Sequence, residues 1–454
     1  MKKLAALFLF FLSTTALAAQ PPPAFTLNTD VRLQAADEDS GGSNAGAGAT
    51  EINVRLNAPL GMNNFFYSEA RAVGDLGRLG FETADTGSLS NGKSFLEWRQ
   101  AYAQFGNLGN QPFYIRAGRQ RMQDSYGLLW NGDLDALRVG YDTTVFKGFI
   151  AAGQNLSSYN TSIGALPGNN KDIARFLAEG SWQYYYDHFF ETRLLMQDDH
   201  SGTTPIGATE SNDNLNDTDG RLLWAGLRAS GKIPSFLPEA GKMSYRADLI
   251  GLTGHENQNT TAVATPTTML VTGMNRDHVN GWAFDGAVDI PLPVAGKNPP
   301  ALHLGYAHGS TDYRQSDLSG NFSKTGELTE NTDNYGVVLR PDLADIHIFS
   351  GGVTKPVMNF GNIGLIYRYY RLSSPATSAI GGVPTGLNGT DRDLGQALDV
   401  LFNLDMMKEL NIFSKNAQGL SLRTALGLFR EGAAYGPDEG RCVARGLVEV
   451  KVSF

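Results

Sequence analysis

The sequence has few charged residues, a single cysteine and no long apolar run beyond its first residues. Charged residues make up 18% of the 454-residue chain, against about 25% in typical soluble domains. The absence of later runs of about 18 apolar residues excludes a bundle of transmembrane helices. The lone Cys442 excludes an internal disulfide. The net charge of −9 argues against nucleic acid as a partner, because nucleic-acid binding requires a basic surface.

The first residues have the features of a secretory signal peptide. Two lysines precede a short apolar stretch, and Ala16-Leu17-Ala18 supplies a small-residue cleavage site. The apolar stretch is too short for a membrane anchor, and no stop-transfer pattern follows it. We therefore expect residues 1–18 to be a signal peptide and residues 19–454 to form one barrel without a separate domain.

The C-terminal segment alternates between apolar and polar residues. From Val448 to Phe454 the even-numbered positions are apolar, whereas Glu449, Lys451 and Ser453 belong to the opposite face. Such a period of two is typical of a strand with one apolar face. A terminal phenylalanine on such a strand resembles the signal by which bacterial outer-membrane barrels are recognised. We therefore expect Phe454 to engage the assembly machinery.

Eighteen segments of the chain have the length and pattern of membrane-crossing strands. Such strands need about 9–11 residues, with apolar positions facing lipid and polar positions facing the lumen. The candidates cover residues 25–34, 49–59, 63–73, 95–106, 112–121, 134–141, 145–154, 173–185, 188–198, 221–230, 242–254, 280–290, 299–309, 344–354, 362–372, 392–405, 418–429 and 442–454. The apolar run from Tyr335 to Leu339 is left out, because Pro341 follows closely and proline cannot serve a central strand.

Short and long connections alternate between these strands. Short turns such as 60–63 and 142–144 alternate with long polar segments. The long segments include 35–48, 74–94, 155–172, 199–220, 255–279 and 310–343. This asymmetry is typical of outer-membrane barrels, whose periplasmic turns are short and whose extracellular loops are long. We therefore predict an all-β fold, a single 18-stranded antiparallel transmembrane β-barrel in the bacterial outer membrane, which encloses an aqueous channel.

Alternation along the strands also predicts which charged side chains line the lumen. The arginines turned inward by this rule are Arg32, Arg55, Arg99, Arg138, Arg193, Arg228, Arg246 and Arg423, and the acids are Asp30, Glu97, Asp248, Asp285, Asp289, Asp399 and Glu449. Arg119 and Arg121 share one phase near the outer end of their strand. Trp98 and Tyr102 are assigned to the lipid face.

A ring of arginines in a watery constriction favours anions, because guanidinium stays charged and offers planar paired donors to carboxylates. Alternatively, these arginines only neutralise the acids of the lumen, as in any porin. Closure of the barrel brings Arg340 and Arg423 beside the first strand, where arginines are already frequent. The residue pattern alone leaves both interpretations open.

Four short motifs resemble a known family. They are Gly118-Arg119-Gln120-Arg121 followed by Asp124-Ser125, Leu339-Arg340-Pro341-Asp342-Leu343, Asp393-Leu394-Gly395-Gln396 with Asp399, and Leu428-Phe429 followed by Ala434-Tyr435-Gly436-Pro437. With this order and spacing, the chain from Phe25 to Phe454 resembles the alginate-export porins of the bacterial outer membrane. The resemblance implies an eighteen-stranded barrel that passes a linear polyuronate outward through an arginine-rich constriction.

The resemblance also implies roles for particular residues. Its basic lining positions correspond to Arg32, Arg55, Arg99, Arg121, Arg340 and Arg423, and its lumen acid corresponds to Glu449. An outer loop at 74–94 and a periplasmic turn at 406–417 would cover the pore. The sequence departs from the family in two places, since residues 155–166 lack its acids and its arginine, and Gln100 replaces an acid beside Arg99. These departures point to a wider polymer tolerance or a different anionic solute.

The sequence contains no arrangement typical of an enzyme. The seven histidines are scattered, and His303 and His308, five residues apart on one strand, face opposite sides. Neither G-x-S-x-G nor H-E-x-x-H occurs. The Asp-rich loop 210–219 offers oxygen ligands for Ca²⁺, although polar outer loops are ordinarily just solvated. We predict no catalysis and no cofactor.

The sequence therefore predicts a channel that secretes an anionic exopolysaccharide, alginate or a related polyuronate, across the outer-membrane bilayer. A periplasmic export partner is expected, because no nucleotide-binding motif supplies a driving force. The alternative is an anion-preferring diffusion porin for uptake of small solutes. A barrel without flux is disfavoured, because eighteen strands leave an open lumen unless loops fill it.

Overall fold

The computed structural model describes residues 25–454 apart from short segments. The residues outside this description are 1–24, 40–43, 76–93, 162–165, 167–171, 212–215, 217, 238–240, 266–267, 295–298, 317, 319–321, 326–327, 334, 358–360, 376–382, 384–385 and 406–418. The predicted signal peptide 1–18, the turn 406–417 and nearly all of the loop 74–94 therefore lie outside the described residues.

Strands make up most of the described residues. Their bounds are β1 (Thr26–Asp39), β2 (Asn44–Pro59), β3 (Asn64–Asp75), β4 (Phe95–Gly106), β5 (Phe113–Gln123), β6 (Asn131–Asp142), β7 (Phe146–Gln154), β8 (Ile173–Tyr185), β9 (His188–Asp199), β10 (Thr209–Ser211), β11 (Thr218–Pro234), β12 (Lys242–Thr265), β13 (Thr268–Pro291), β14 (Ala301–Gly309), β15 (Phe322–Thr325), β16 (Leu328–Asp333), β17 (Ile346–Val357), β18 (Gly361–Leu372), β19 (Asp393–Asp405), β20 (Gly419–Glu431) and β21 (Cys442–Ser453). Two short 3₁₀ segments cover Leu108–Asn110 and Ala433–Asp438. None of the helices in the described part of the chain has the length and apolar character needed to cross a bilayer.

Eighteen of these strands form one closed antiparallel barrel, as predicted. Each pairs with its neighbours in the chain, and β1 pairs with β21, which places Arg32 opposite Lys451 at the closing seam. The last residue extends the seam, because the backbone N–H of Phe454 donates to the carbonyl of Thr29 at 2.8 Å. The other three strands, β10, β15 and β16, belong to long connections.

The two ends of the barrel differ in the length of their connections, which also agrees with the prediction. At one end, here called the turn end, segments as short as 186–187 join the strands. At the opposite loop end, connections such as 310–345 are much longer. The predicted bounds of two strands are too short, because β12 and β13 continue through residues 255–279, predicted as a long connection, as a paired hairpin. The stretch is rich in threonine and valine, which favour strands.

Apolar side chains cover the outside of the barrel. Leu27, Leu137, Trp282, Leu365 and Leu426 are each about half exposed, although their neighbours along the strands point into the lumen. Against water this exposure would be unfavourable, whereas against hydrocarbon it is what an outer-membrane strand requires.

A β-bulge in β4 reverses the direction of the side chains that follow it. The register with β3 shifts between Glu69 and Ala70, which leaves Arg99 as the extra residue. Trp98, before the bulge, is half exposed on the outside, whereas Tyr102, after it, is buried. The expectation that Tyr102 faces lipid is therefore wrong, because one inserted residue moves every later side chain to the other face.

The loop end of the β5–β6 hairpin leaves the wall and enters the lumen. We call residues 119–135 the inner hairpin. β5 pairs with β4 only as far as Arg119. Beyond this point the segment after β7 takes its place, since the amide of Trp98 donates to the carbonyl of Tyr159 at 2.9 Å. The wall therefore stays hydrogen-bonded while the inner hairpin bends inward.

Gly118 allows the inner hairpin to separate from the wall. Its φ is +123°, a conformation that favours glycine, and a Cβ atom there would lie 2.3 Å from the carbonyl oxygen of Ala101. The register with β4 and β6 is unbroken at Gly118, so Arg116 and Arg119, three residues apart, lie on opposite faces of β5. The glycine therefore permits the close backbone approach at the point where the hairpin leaves the wall.

One face of the inner hairpin packs into a dry cluster that fills part of the lumen. Met122, Leu129, Trp130 and Leu134 are fully buried. Their partners include wall residues Leu177, Leu195, Trp224 and Ile250, and residues Tyr313, Leu339 and Leu343 of the connection 310–345. The run from Tyr335 to Leu339 is not a strand, as predicted, and it packs inside the barrel instead of lying outside it. Loops thus fill the lumen next to the wall from β6 to β20, where further members such as Ile348, Tyr370 and Phe429 lie, and the cluster has no member on β1–β4 or β21.

Candidate functional site

Charged side chains line the lumen on the side that the dry cluster leaves open. Arg32 of β1 donates to Glu449 of β21 at 2.5 Å and lies 3.6 Å from Glu51 of β2. Arg423 of β20 lies 3.9 Å from the same Glu449. One buried carboxylate is therefore shared by two guanidiniums that come from opposite ends of the chain. We call this region, which spans β1, β2, β20 and β21, the seam wall.

A second carboxylate of the seam wall is shared in the same way. Asp30 pairs with Arg55 and lies 3.6 Å from Nζ of Lys451. The cations remain accessible despite these contacts, since the side chains are 33% exposed for Arg55, 39% for Lys451 and 35% for Arg423. Paired but accessible cations can exchange a carboxylate of the wall for a carboxylate of a solute.

The wet face of the inner hairpin carries a further row of ion pairs. Arg99 and Arg121 approach Asp133 at 3.4 and 3.6 Å. Arg119 lies 3.6 Å from Asp135 and stacks on the ring of Tyr159 at 4.1 Å. The bends at Arg99 and Gly118 bring these three arginines together, although they lie on two strands. They face away from the dry cluster.

Alternation along strands cannot locate Arg340, which lies outside the strands, but it could have located Arg71. Arg340 is half-buried in the connection 310–345, three residues beyond Val337, which packs between β18, β19 and β20. Arg71, a lumen residue that was not predicted, is buried on β3 and pairs with Glu97 at 2.5 Å. The alternation of Glu69 and Arg71 with alanines is the signal that could have identified it.

A separate group of charges is buried where the inner hairpin meets the wall. Asp124 lies 3.5 Å from Arg193 and 3.2 Å from Arg228, and all three side chains are essentially inaccessible. Asp248 contacts both guanidiniums. Burial alone would raise the pKa of Asp124, but the guanidiniums of Arg228 and Arg193 hold it down at about 2. These arginines face inward as predicted, yet they anchor the hairpin and do not line open space.

The other inward assignments that the structure describes agree with the alternation. The further pairs are Arg246 with Asp285 at 2.7 Å, Arg368 with Asp399, and His303 with Asp289 at 2.7 Å. His308 instead stacks on His347 and makes an edge-to-face contact with Trp282, on the opposite side of its strand from His303. Lumen charges are thus mostly arranged as opposite pairs.

The predicted calcium loop is only partly described, because 212–215 and 217 lie outside the described residues. Among the residues that are described, no three or more His, Cys, Asp or Glu side chains come together to hold a metal ion.

On the side of the lumen that the dry cluster leaves open, the described carboxylates are nearly as numerous as the cations. This balance determines how strongly the wall can bind an anionic solute. Glu449 keeps Arg32 as a partner when it leaves Arg423, and Asp30 keeps Lys451 when it leaves Arg55, so a passing carboxylate can take the place of a wall carboxylate without leaving a buried charge unpaired. A row of such pairs offers many weak, similar contacts. Conduction requires this combination, because a cargo has to leave as readily as it binds.

Fold and lumen together define an outer-membrane channel of the porin type and not an enzyme. The features that define it are a closed 18-stranded barrel, an apolar exterior, unequal ends and a charged, partly open interior. Known proteins allow a narrower assignment. A family model described as "Alginate export" matches residues 32–448, and the chain belongs to the alginate export family.

Curated relatives agree with this assignment. The "Alginate production protein AlgE" of Pseudomonas aeruginosa is 24% identical over 372 residues, which cover 79% of this chain and 74% of the relative. The protein of the same name from Pseudomonas syringae pv. tomato is 23% identical over 383 residues, covering 79% and 75%.

Solved porin structures share the fold. OccK8 (OprE) of Pseudomonas aeruginosa superposes with a TM-score of 0.56 at 12% identity, covering 95% of this chain and 98% of that one. OprD from the same organism has a TM-score of 0.54 at 11% identity, covering 95% and 94%. At such identities the likeness concerns the barrel alone.

Proposed function

We propose that this channel carries alginate, or a related anionic polyuronate, from the periplasm to the cell exterior along the seam wall and the wet face of the inner hairpin. The side chains proposed to contact the polymer are Arg32, Arg55, Arg99, Arg119, Arg121, Arg340, Arg423 and Glu449. The observation that carries the proposal is the accessibility of Arg55 and Arg423, each about one-third exposed, in a barrel of the alginate export family.

The proposed mechanism is exchange of carboxylates. Each uronate presents a planar carboxylate, and guanidinium is the side chain that receives this group through two parallel N–H donors. As the polymer advances, its carboxylates displace Glu449 or Asp30 from their arginines. The wall carboxylates then return and release the polymer, which keeps every binding step weak.

The departures from the family affect the hairpin side of this path. Gln100 donates to Glu69 at 2.9 Å, and its carbonyl oxygen accepts from the amide of Arg121. The segment after β7 contributes Tyr159, which stacks on Arg119, in place of further acids. A wall with fewer acids repels a polyanion less, which supports tolerance for uronates other than those of alginate.

Export and assembly complete the proposal. Residues 1–18 would direct secretion into the periplasm, and a periplasmic partner would deliver the growing polymer, since the chain has no nucleotide-binding motif. Phe454, whose backbone pairs with Thr29 at the seam, would be read by the outer-membrane assembly machinery.

The seam wall is tested by the double variant Arg55→Glu, Arg423→Glu. Both substitutions replace an accessible cation by an anion beside existing carboxylates, so the preference for anions should be lost. Reversal potentials of single channels in a salt gradient measure this preference. The control is Arg430→Glu, at an exposed position near the outer end of β20. An unchanged reversal potential in a folded double variant would remove the mechanism.

A further inference from the structure

Two arginines at the turn end of the lumen differ from those of the seam wall. Arg116 of β5 and Arg138 of β6 lie directly opposite each other in the antiparallel register. Like charges placed in this way destabilise a sheet. Within the part of the chain that the structure describes, neither guanidinium has an ion-pair partner, and Glu179 attracts Arg138 only from a greater distance.

Neutral groups hold both guanidiniums in place. Arg116 donates two hydrogen bonds to the side-chain amide oxygen Oε1 of Gln104, at 3.1 and 2.7 Å. It also stacks on Tyr102, with 4.4 Å to the ring centre. Arg138 stacks on Phe149 with 3.7 Å to the ring centre. These contacts fix the planes of the guanidiniums, and among the described residues no carboxylate lies within ion-pair distance of either one. An anionic ligand would supply the missing charge.

A cavity suited to a sugar adjoins this pair. It has a volume of about 540 Å³, and its lining includes Asn57, Phe65, Gln104 and Tyr114. Pockets for small ligands cover about 300–1,000 Å³. Gln104 and Tyr114 line the cavity and also contact Arg116, so the cavity borders the charged pair. Asp142 is a further lining residue. Amides can bind hydroxyl groups, and aromatic rings can pack against the C–H face of a pyranose.

We propose that Arg116 and Arg138 form a capture site for one uronate of the polymer at the periplasmic mouth, with the sugar ring held in the adjoining cavity. This inference rests on the proposed function, because it assumes a polyuronate that enters from the turn end. The site lies closer to the turn end than the seam wall does. Gln104, which holds Arg116, is opposite Phe65 of β3, whereas the accessible Arg55 is opposite Glu69, four residues further from the turn end along β3. Capture of a chain end would align the polymer before carboxylate exchange begins.

The experiment measures block of the ionic current by an alginate hexasaccharide added to one side of a planar bilayer at a time. The full chain is compared with the pair Arg116→Gln, Arg138→Gln and with the pair Arg116→Lys, Arg138→Lys. Addition to the periplasmic side should give about tenfold fewer block events in the glutamine pair, because charged hydrogen bonds and steering of the anion are lost. The lysine pair should recover most of this frequency. Addition to the outer side should show no difference, and neither should the control Arg371→Gln at the outer end of β18.

Several outcomes would overturn the inference. One is an unchanged block frequency in the glutamine pair, and another is a lysine pair that performs no better than the glutamine pair. Equal block by neutral maltohexaose would also overturn it. The reversal potential of Arg55→Glu, Arg423→Glu separates this site from the seam wall. If that variant loses its anion preference while the glutamine pair still captures the hexasaccharide normally, the capture site is refuted and the proposed function stands. If the reversal potential of Arg55→Glu, Arg423→Glu is unchanged, the role of the seam wall is refuted instead.

Discussion

Neutralising Asp124 should loosen the partition that divides the lumen. Its carboxylate contacts Arg193 and Arg228 and accepts the backbone N–H groups of Tyr126 and Leu129 at 2.8 Å each. The pKa of Asp124 is lowered from 3.8 to about 2, and a shift of this size corresponds to about 2 kcal/mol of stabilisation near neutral pH. The inner hairpin is therefore anchored electrostatically as well as by its apolar face.

The contacts set the size of the expected effect. Removing one member of a buried ion pair costs about 3–5 kcal/mol, and the lower end applies to Asp124→Asn because Asp248 still contacts both guanidiniums. Trp130, which is fully buried, opposes release, since truncating such a side chain to alanine costs about 3–5 kcal/mol. Asp124→Asn alone should leave the hairpin mostly in place, whereas Asp124→Asn with Trp130→Ala should release it.

Single-channel recording distinguishes these states. Asp124→Asn should show brief events of higher conductance, and the double variant should stay at the higher level. The control Asp142→Asn, with a side chain 57% exposed, should behave as the unmodified protein. A folded double variant with unchanged conductance would refute the anchoring role.

The pH dependence follows from the sign of the shift. A lowered pKa in the folded state stabilises above the unfolded pKa of about 3.9 and is lost as the pH falls towards 2. The part of the conductance increase that depends on Asp124 should therefore appear only below about pH 4. An increase in strong acid that is equally large in Asp124→Asn would contradict this assignment.

Two further predictions concern assembly and orientation. Deleting Phe454 removes its two backbone hydrogen bonds to Thr29. The amount of heat-modifiable barrel in outer membranes should fall, while the channels that do assemble should keep their conductance. Normal amounts of barrel with altered conductance would contradict this prediction. Cys442 is exposed at the loop end of β21, so a membrane-impermeant maleimide should label intact cells, with Cys442→Ser as the unlabelled control. Labelling only after lysis would place the loop end in the periplasm.

Alternation predicted the strands and most lumen charges because lipid imposes a simple rule. Every second side chain of a membrane-crossing strand faces hydrocarbon, so charged residues such as Arg32 and Glu449 have one direction available. Where strands are regular, this rule is sufficient. It failed at Tyr102, because the bulge at Arg99 depends on the register with β3 and has no signal in β4 alone.

The inner hairpin could not be predicted for a different reason. Leu134 and Met122 are apolar, and alternation cannot distinguish a side chain that faces lipid from one that packs inside a filled lumen. The turn from wall to hairpin depends on Gly118 and on the segment after β7 that replaces β5 beside β4. This exchange of strand partners depends on contacts between segments distant in sequence, so it cannot be read from the pattern of one strand. The sequence could not predict that Arg116 and Arg138 have no ion-pair partner among the described residues, since pairing is a property of the assembled barrel.

The location of the seam wall ties permeation to the last event of biogenesis. Arg32 and Asp30 lie near the start of the chain, whereas Glu449 and Lys451 lie at its end. The two pairs of residues come together only when β1 pairs with β21 and closes the barrel. A half-inserted intermediate therefore has its carboxylate-binding groups divided between two free edges. Under the proposed function, the path for a polyanion is therefore complete only after the barrel has closed.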